Sequence, residues 1–279
     1  MRGMIRTVLF FILLGLALLV SALVGLVLQR WSGLRRFRAA LVHVTAPLLL
    51  EILNVRTTTR FLASPPFSSS GMRPGMTVSN HISYLDVLVI AAQMPTVFVT
   101  STEVRDEPFV GTICRLAGCI FVDRRSARRL RSEIAEISSL MKDGLHVVVF
   151  PEATSTRGDV VRPFRRALFE AARNSGMPLW VGRIRYPEGT RMRVSYAEND
   201  SFLPHLRRLI LTHQLRAEWS WLGGIGAAEL SSKNASDIAA WAQALVETDV
   251  FRVDSRLIRE IKAQDHGASE QVLFGCLKF

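Results

Sequence analysis

The chain has 279 residues, with 35 Lys and Arg against 24 Asp and Glu and a formal net charge of +11. That length holds one good-sized domain plus an appendage. The three cysteines form no Cys-x2-Cys pair, so neither a disulfide framework nor a zinc site is indicated. No RNP-like aromatic block or helix-turn-helix signal accompanies the charge, which leaves anionic lipid headgroups and phosphate-bearing substrates as the simpler acidic partners.

Residues 8–28 contain no charge and are dominated by Leu, Val, Phe, Ile, Ala and Gly. A helix of about 21 residues is roughly 31 Å long, enough to cross a hydrocarbon core. The stretch exceeds the apolar part of a signal peptide, and Leu28-Gln29-Arg30-Trp31-Ser32 offers no small-x-small cleavage site. The sequence therefore predicts an uncleaved transmembrane helix over about 8–28. Arg2 and Arg6 precede it and Arg30, Arg35, Arg36 and Arg38 follow it, a bias that favours a cytoplasmic body. A second apolar stretch over 39–53, interrupted by His43 and Glu51, is too short and polar to span. It predicts a helix lying in the membrane surface or packed on the first, so that 1–55 forms the anchor.

Residues 56–74, rich in Thr, Ser and Pro, read as a linker. Short apolar runs then alternate with amphipathic stretches over 75–215. Strands are predicted over 76–79, 97–101, 119–122, 146–150, 179–184 and 192–196, and helices over 83–93, 108–116, 127–142 and 165–174, with Ser126 as a cap. The alternation argues for an α/β domain on a mixed, largely parallel sheet flanked by helices. A helix over 203–215 closes the domain, and 216–279 is expected to be a helical extension containing an amphipathic helix over 236–246, capped by Ser236 or Asp237. Gly223-Gly224-Ile225-Gly226 lacks the spacing of a dinucleotide fingerprint and reads as a loop.

The chemistry begins at Ser79-Asn80-His81-Ile82-Ser83-Tyr84-Leu85-Asp86, where an apolar run gives way to a helical pattern. A neutral imidazole in such a turn can take a proton from an alcohol. A carboxylate five positions on can fix its tautomer and stabilise the imidazolium. The bland alternative is a helix cap with an acidic first turn. No Gly-x-Ser-x-Gly elbow supplies a protein nucleophile, so the nucleophile is expected to be a hydroxyl on the substrate.

Arg124 follows the apolar run 119–122, and a guanidinium at a strand end grips phosphate or carboxylate. In Phe150-Pro151-Glu152-Ala153-Thr154, Pro151 turns the chain and presents Glu152 near Thr154 and Arg157, with Arg165 following. Glu152 can orient these arginines or contact an acceptor headgroup; a surface ion pair is the alternative. His81, Arg124 and Glu152 all follow predicted strands, the side on which open α/β sheets bind ligands.

In order, Asn80-His81-x4-Asp86, Gly118-x2-Phe121-x-Asp123-Arg124, Phe150-Pro151-Glu152-x-Thr154 and the strand after Pro178 resemble the four blocks of the glycerophospholipid acyltransferases, most of all the bacterial 1-acylglycerol-3-phosphate type. The resemblance, over roughly 76–186, implies His81 as base with Asp86 as its partner. It implies acceptor binding by the second and third blocks, through Arg124, Glu152, Ala153 and Thr154, with a hydrophobic donor and acceptor region at the fourth. It also implies a membrane-anchored enzyme that needs no metal or cofactor, works on membrane lipids, and takes acyl-CoA or acyl-carrier protein as co-substrate and a lysolipid as acceptor. The family's third block usually reads Phe-Pro-Glu-Gly-Thr-Arg-Ser; here Ala153 stands for the glycine and Ser155 for the arginine. The acceptor the resemblance implies first is 1-acylglycerol-3-phosphate, giving phosphatidic acid; that arginine is a phosphate contact in the family, so either Arg157 or Arg165 compensates for it or the acceptor is another lysolipid, such as a lyso-ornithine lipid. A thioesterase or lipid hydrolase and a noncatalytic membrane-surface protein remain as rival readings.

Overall fold

The computed structural model describes residues 2–28, 31, 33–68, 71–123, 126–196 and 200–248. Met1–Val246 forms one unit and Glu247–Phe279 a second, of which only Glu247 and Thr248 are described. A seven-stranded sheet runs through the first unit in the order β1-β9-β8-β4-β7-β5-β6. Its strands are β1 (Val55–Phe61), β4 (Gly75–Val78), β5 (Val97–Ser101), β6 (Ile120–Val122), β7 (His146–Val149), β8 (Leu179–Arg185) and β9 (Leu215–Ile225), while β2 (Phe67–Ser68) and β3 (Gly71–Met72) make a separate small hairpin. Strands β8, β4, β7, β5 and β6 are parallel, β9 is antiparallel to β8, and β1 is parallel to β9. The expected mixed, largely parallel sheet is what forms.

Every residue of β4 and β7 is buried. Both faces of the sheet are covered, which is why these strands read as continuous apolar runs rather than alternating ones. One face carries a core in which α1 (Arg2–Val27), α2 (Leu34–Ile52), α3 (Leu85–Ala91) and α9 (Phe202–Leu211) meet Trp219 and Trp221 of β9. The other carries α6 (Ala127–Lys142), α7 (Phe169–Ser175) and a final helix starting at residue 235, through side chains such as Ile137, Met141, Phe169 and Ile238. Ser126 caps α6 as expected, accepting the Arg129 N–H. Short helices α4 (Thr102–Asp106), α5 (Val110–Ala117), α8 (Glu188–Val194) and α10 (Ala227–Ser232) complete the unit.

Five expectations give way. The linker over 56–74 begins with β1, an edge strand whose three consecutive threonines suit a largely exposed position and imitate a linker by composition. The domain does not end at 215: β9 carries it to Ile225, with Gly223 and Gly224 inside the strand. A Cβ on Gly182 of β8 would lie 2.1 Å from the Trp219 indole, whereas one on Gly223 would lie 2.9 Å from the end of the Leu245 side chain and one on Gly224 3.1 Å from the Trp180 indole. Of the strand expected over 192–196, residues 192–194 are the end of α8, where Val194 is buried and Met192 exposed at helical spacing, after a Pro187-Glu188 start signal. The helix expected over 203–215 stops at Leu211, and the chain turns through Gln214 at φ 45° into β9. The last helix is capped by Asn234, whose side chain exchanges hydrogen bonds with the Asp237 N–H at 2.9 Å and carboxylate at 2.8 Å, not by Ser236 or Asp237.

Among the described residues, α1 is the one helix long and apolar enough to cross a membrane. It is also fastened lengthwise to the body. Arg6 Nε donates to the Ile52 carbonyl at 2.7 Å, Phe10 is buried, and the Ser21 hydroxyl donates to the Leu116 carbonyl. Arg6 and Ser21 are about 22 Å apart along a helix. The opposite face, with Ile5, Val8, Ile12, Leu16, Leu19 and Leu23, is exposed and apolar. The helix expected over 39–53 is the larger part of α2, which packs on α1, one of the two placements foreseen, and also buries Ala39, Ala46, Leu49 and Leu50 in the body.

Candidate active site

Strands β8, β4 and β7 are neighbours, and the segments leaving their C-terminal ends meet. After β4 the ladder is continued by a side chain: Asn80 Nδ2 donates to the Ile184 carbonyl, and Asn80 Oδ1 accepts the Ile184 N–H, both at 2.9 Å. This pairing sets the direction in which His81 leaves the sheet. The turn then enters α3, whose first turn carries Asp86, wholly buried.

His81 Nδ1 lies 2.8 Å from Asp86 Oδ2. The same oxygen accepts the N–H groups of Ile82 at 2.7 Å and Ser83 at 3.0 Å, and Asp86 Oδ1 accepts the Tyr186 hydroxyl at 2.6 Å. A carboxylate surrounded by donors makes Nδ1 the protonated nitrogen of His81 and leaves a lone pair on Nε2. Among the described residues Nε2 has no hydrogen-bond partner, and the side chain is 21% exposed. The imidazole lies flat on Phe150, with ring centroids 4.1 Å apart and 16° between planes. The site thus presents a base with fixed tautomer and fixed plane.

Pro151 ends the β7 ladder and starts a loop whose base is closed by the Arg165 N–H on the Pro151 carbonyl at 2.9 Å. Glu152, 3% exposed, turns inward: Oε1 accepts the His81 N–H and Oε2 the Arg162 N–H, both at 2.7 Å. Burial pushes its carboxyl up to about 7, against the pull of those two N–H donors. The Thr156 N–H donates to the His81 carbonyl at 2.9 Å, and its hydroxyl approaches the same oxygen at 3.3 Å. The loop therefore grips the backbone of His81 on both sides. Ala153 sits in this loop at φ 69°, the left-handed conformation that glycine adopts without cost.

Of the residues expected at the site, His81, Asp86 and Glu152 come together. Glu152 holds the backbone rather than an arginine side chain or a surface ion partner. Ala153 and Thr154 lie in the same loop, half-buried, while Arg157 and Arg165 have exposed side chains along it. Arg124 lies outside the described residues. Tyr186, Thr156 and the stacking role of Phe150 were not foreseen. Among the described residues, no group of three His, Cys, Asp or Glu could hold a metal ion.

The family model described as Acyltransferase matches residues 55–181, the stretch that includes β1, the dyad and the loop after β7. Over that stretch, a little under half of its length, the chain is similar to the acyltransferases. A lyso-ornithine lipid O-acyltransferase of Rhodobacter capsulatus is 29% identical over 78% of this chain and 78% of its own. A second protein of that name, from Pseudomonas aeruginosa, is 29% identical over 67% of this chain and 73% of its own length. A 1-acyl-sn-glycerol-3-phosphate acyltransferase of Neisseria gonorrhoeae is 30% identical over 44% of this chain, which spans only 49% of that relative's length. The crystal structure of the 1-acyl-sn-glycerophosphate acyltransferase of Thermotoga maritima matches with a TM-score of 0.60 over 90% of this chain and 97% of its own. At 16% identity, that likeness is one of fold.

Proposed function

We propose that this acyltransferase moves an acyl group from a thioester, acyl-CoA or acyl-carrier protein, to the free hydroxyl of a lysolipid at the cytoplasmic leaflet. The observation that carries the reading is the His81–Asp86 pair, with Nδ1 tied to the carboxylate and Nε2 open. His81 Nε2 takes the proton of the acceptor hydroxyl as its oxygen attacks the thioester carbonyl. Asp86 stabilises the imidazolium that forms. The tetrahedral intermediate collapses, the C–S bond breaks, and the imidazolium returns the proton to the departing thiolate. The catalysed proton transfer is worth about 10²- to 10⁴-fold.

A lipid acceptor is supported by the exposed apolar face of α1. That helix touches α9, and Phe202 of α9 packs on Tyr84, three residues from His81, with ring centroids 5.0 Å apart. For the headgroup, the reading favoured is a lyso-ornithine lipid. Ser155, standing where the family usually has a phosphate-contacting arginine, turns its hydroxyl to the Tyr196 carbonyl and offers no cation there. Two relatives carrying that acceptor's name align over 78% and 67% of the chain, and two others over 36%. The second reading, 1-acylglycerol-3-phosphate, rests on the exposed Arg157 and Arg165 beside the same loop.

Membranes carrying the protein, incubated with a labelled acyl thioester and a panel of lysolipids, test these readings. Label in diacylated ornithine lipid is the expected product, and label in phosphatidic acid selects the second headgroup. Donor hydrolysis without transfer means a thioesterase, and no chemistry at all means a binding protein; either sinks the proposal.

A further inference from the structure

We propose that Tyr186 is a positioning residue for catalysis, which holds the carboxylate that in turn holds His81; this rests on the reading of the dyad as an acyl-transfer base. Tyr186 follows the last residue of β8, next to β4 in the sheet, and is 2% exposed. Its hydroxyl reaches Asp86 Oδ1 at 2.6 Å, within the range of charge-assisted O–H···O bonds. Burial and the adjacent carboxylate push the phenol well above its ordinary range, so Tyr186 is the donor in this pair.

The two oxygens of Asp86 are unequally served. Oδ2 accepts three N–H groups, from His81, Ile82 and Ser83. Among the described residues, Oδ1 has the Tyr186 hydroxyl alone. The three donors on Oδ2 come from one short turn, so they fix that oxygen and leave the carboxylate free to pivot about it. Only Oδ1 sets the plane of the group, and the Tyr186 hydroxyl reaches it from a different strand. Without that donor, Oδ1 is unpaired in a site of zero exposure. The carboxylate then turns toward another donor, and the line from Oδ2 to His81 Nδ1 turns with it. Tyr186 touches neither His81 Nε2 nor the acceptor's expected position, so it acts through Asp86. Partners that orient a metal-bound histidine in this way are typically worth about 10- to 100-fold, and an orienting partner of this dyad is expected to act on the same scale.

Tyr186→Phe keeps the ring and removes the hydroxyl. The expected result is a kcat lowered about 10- to 100-fold, an acceptor KM within about twofold, and a displaced proton NMR resonance of His81 Nδ1–H, assigned by its loss in His81→Ala. An unchanged kcat, or a lowered kcat with the resonance in its wild-type position, overturns the proposal, because a tyrosine that only fills space would give one or the other. Should Tyr186→Phe not fold, 3-fluorotyrosine incorporated at position 186 retains ring and hydroxyl but makes a stronger donor. It should still displace the Nδ1–H resonance, and an unmoved resonance there also overturns the proposal. A wild-type protein inert toward every lysolipid would sink the acyl-transfer reading alone, since the resonance needs no turnover.

Discussion

His81 is held by four independent devices: the Asp86 carboxylate on its ring nitrogen, the Phe150 ring under its plane, Glu152 on its N–H and Thr156 on its carbonyl. Nothing in that arrangement requires the imidazole for folding, since the ring is partly exposed. His81→Ala should therefore lower turnover by at least about 10²-fold with thermal unfolding and membrane association close to wild type; a purified variant that remains active excludes His81 as the base. Ala153 makes a second residue-scale case. An L-residue held at φ 69° costs about 1–2 kcal/mol relative to a right-handed conformation. Glycine removes that cost and returns part of it through unfolded-chain entropy. Ala153→Gly should raise stability by up to about 1 kcal/mol, measured by denaturant unfolding, and a clear loss would contradict the strained geometry.

The element that decides the site is the β8-β4-β7 triplet, since its three exits converge on one imidazole. Asn80 is the joint between β4 and β8. Asn80→Ala strips partners from the buried N–H and C=O of Ile184, at about 1–3 kcal/mol each. The variant should lose about 2–4 kcal/mol in urea unfolding, and its turnover should fall as well, because His81 departs from the same joint. A loss below about 0.5 kcal/mol would show that the ladder does not depend on this amide. Much of this triplet was legible in the sequence. The apolar runs of β4, β7 and β8 stand out because buried parallel strands do not alternate, and His81, Asp86 and Glu152 follow them within a few residues. What was hidden depends on strand order. Tyr186 is 100 residues from Asp86 and Thr156 is 75 from His81, and no local pattern says that β8 and β7 flank β4. Composition misled at β1, where exposed threonines mimic a linker, and at α8, where a short apolar alternation mimics a strand.

For the whole molecule, two buried groups pull stability in opposite directions with pH. His146, at the far end of β7, sits between the Thr77 hydroxyl at 2.8 Å and the Arg73 carbonyl at 3.1 Å, and burial pushes its pKa down to about 4. As the pH falls from 6.5 toward 4, the unfolded chain binds a proton that the folded chain refuses, so stability drops by up to about 3 kcal/mol. Glu152 acts in the other sense: its carboxyl is raised to about 7, so stability is lost as the pH rises from 4.5 toward 7. Denaturant unfolding of wild type and His146→Phe across pH 7 to 4.5 separates the two. The variant should be less stable at neutral pH, where the Thr77 and Arg73 groups lose their partner, yet decline less on acidification. Parallel pH curves would contradict a neutral, buried His146.

The lengthwise seating of α1 has a practical consequence for anyone trimming the chain. A conventional membrane tether can be cut away to release a water-soluble catalytic head. Here Phe10 belongs to the same core as Leu50, Leu209 and Ile210, and Leu13 and Leu14 pack against it. Deleting residues 1–28 would uncover that greasy flank, and the shortened protein should clump in detergent-free buffer instead of emerging as an active soluble fragment.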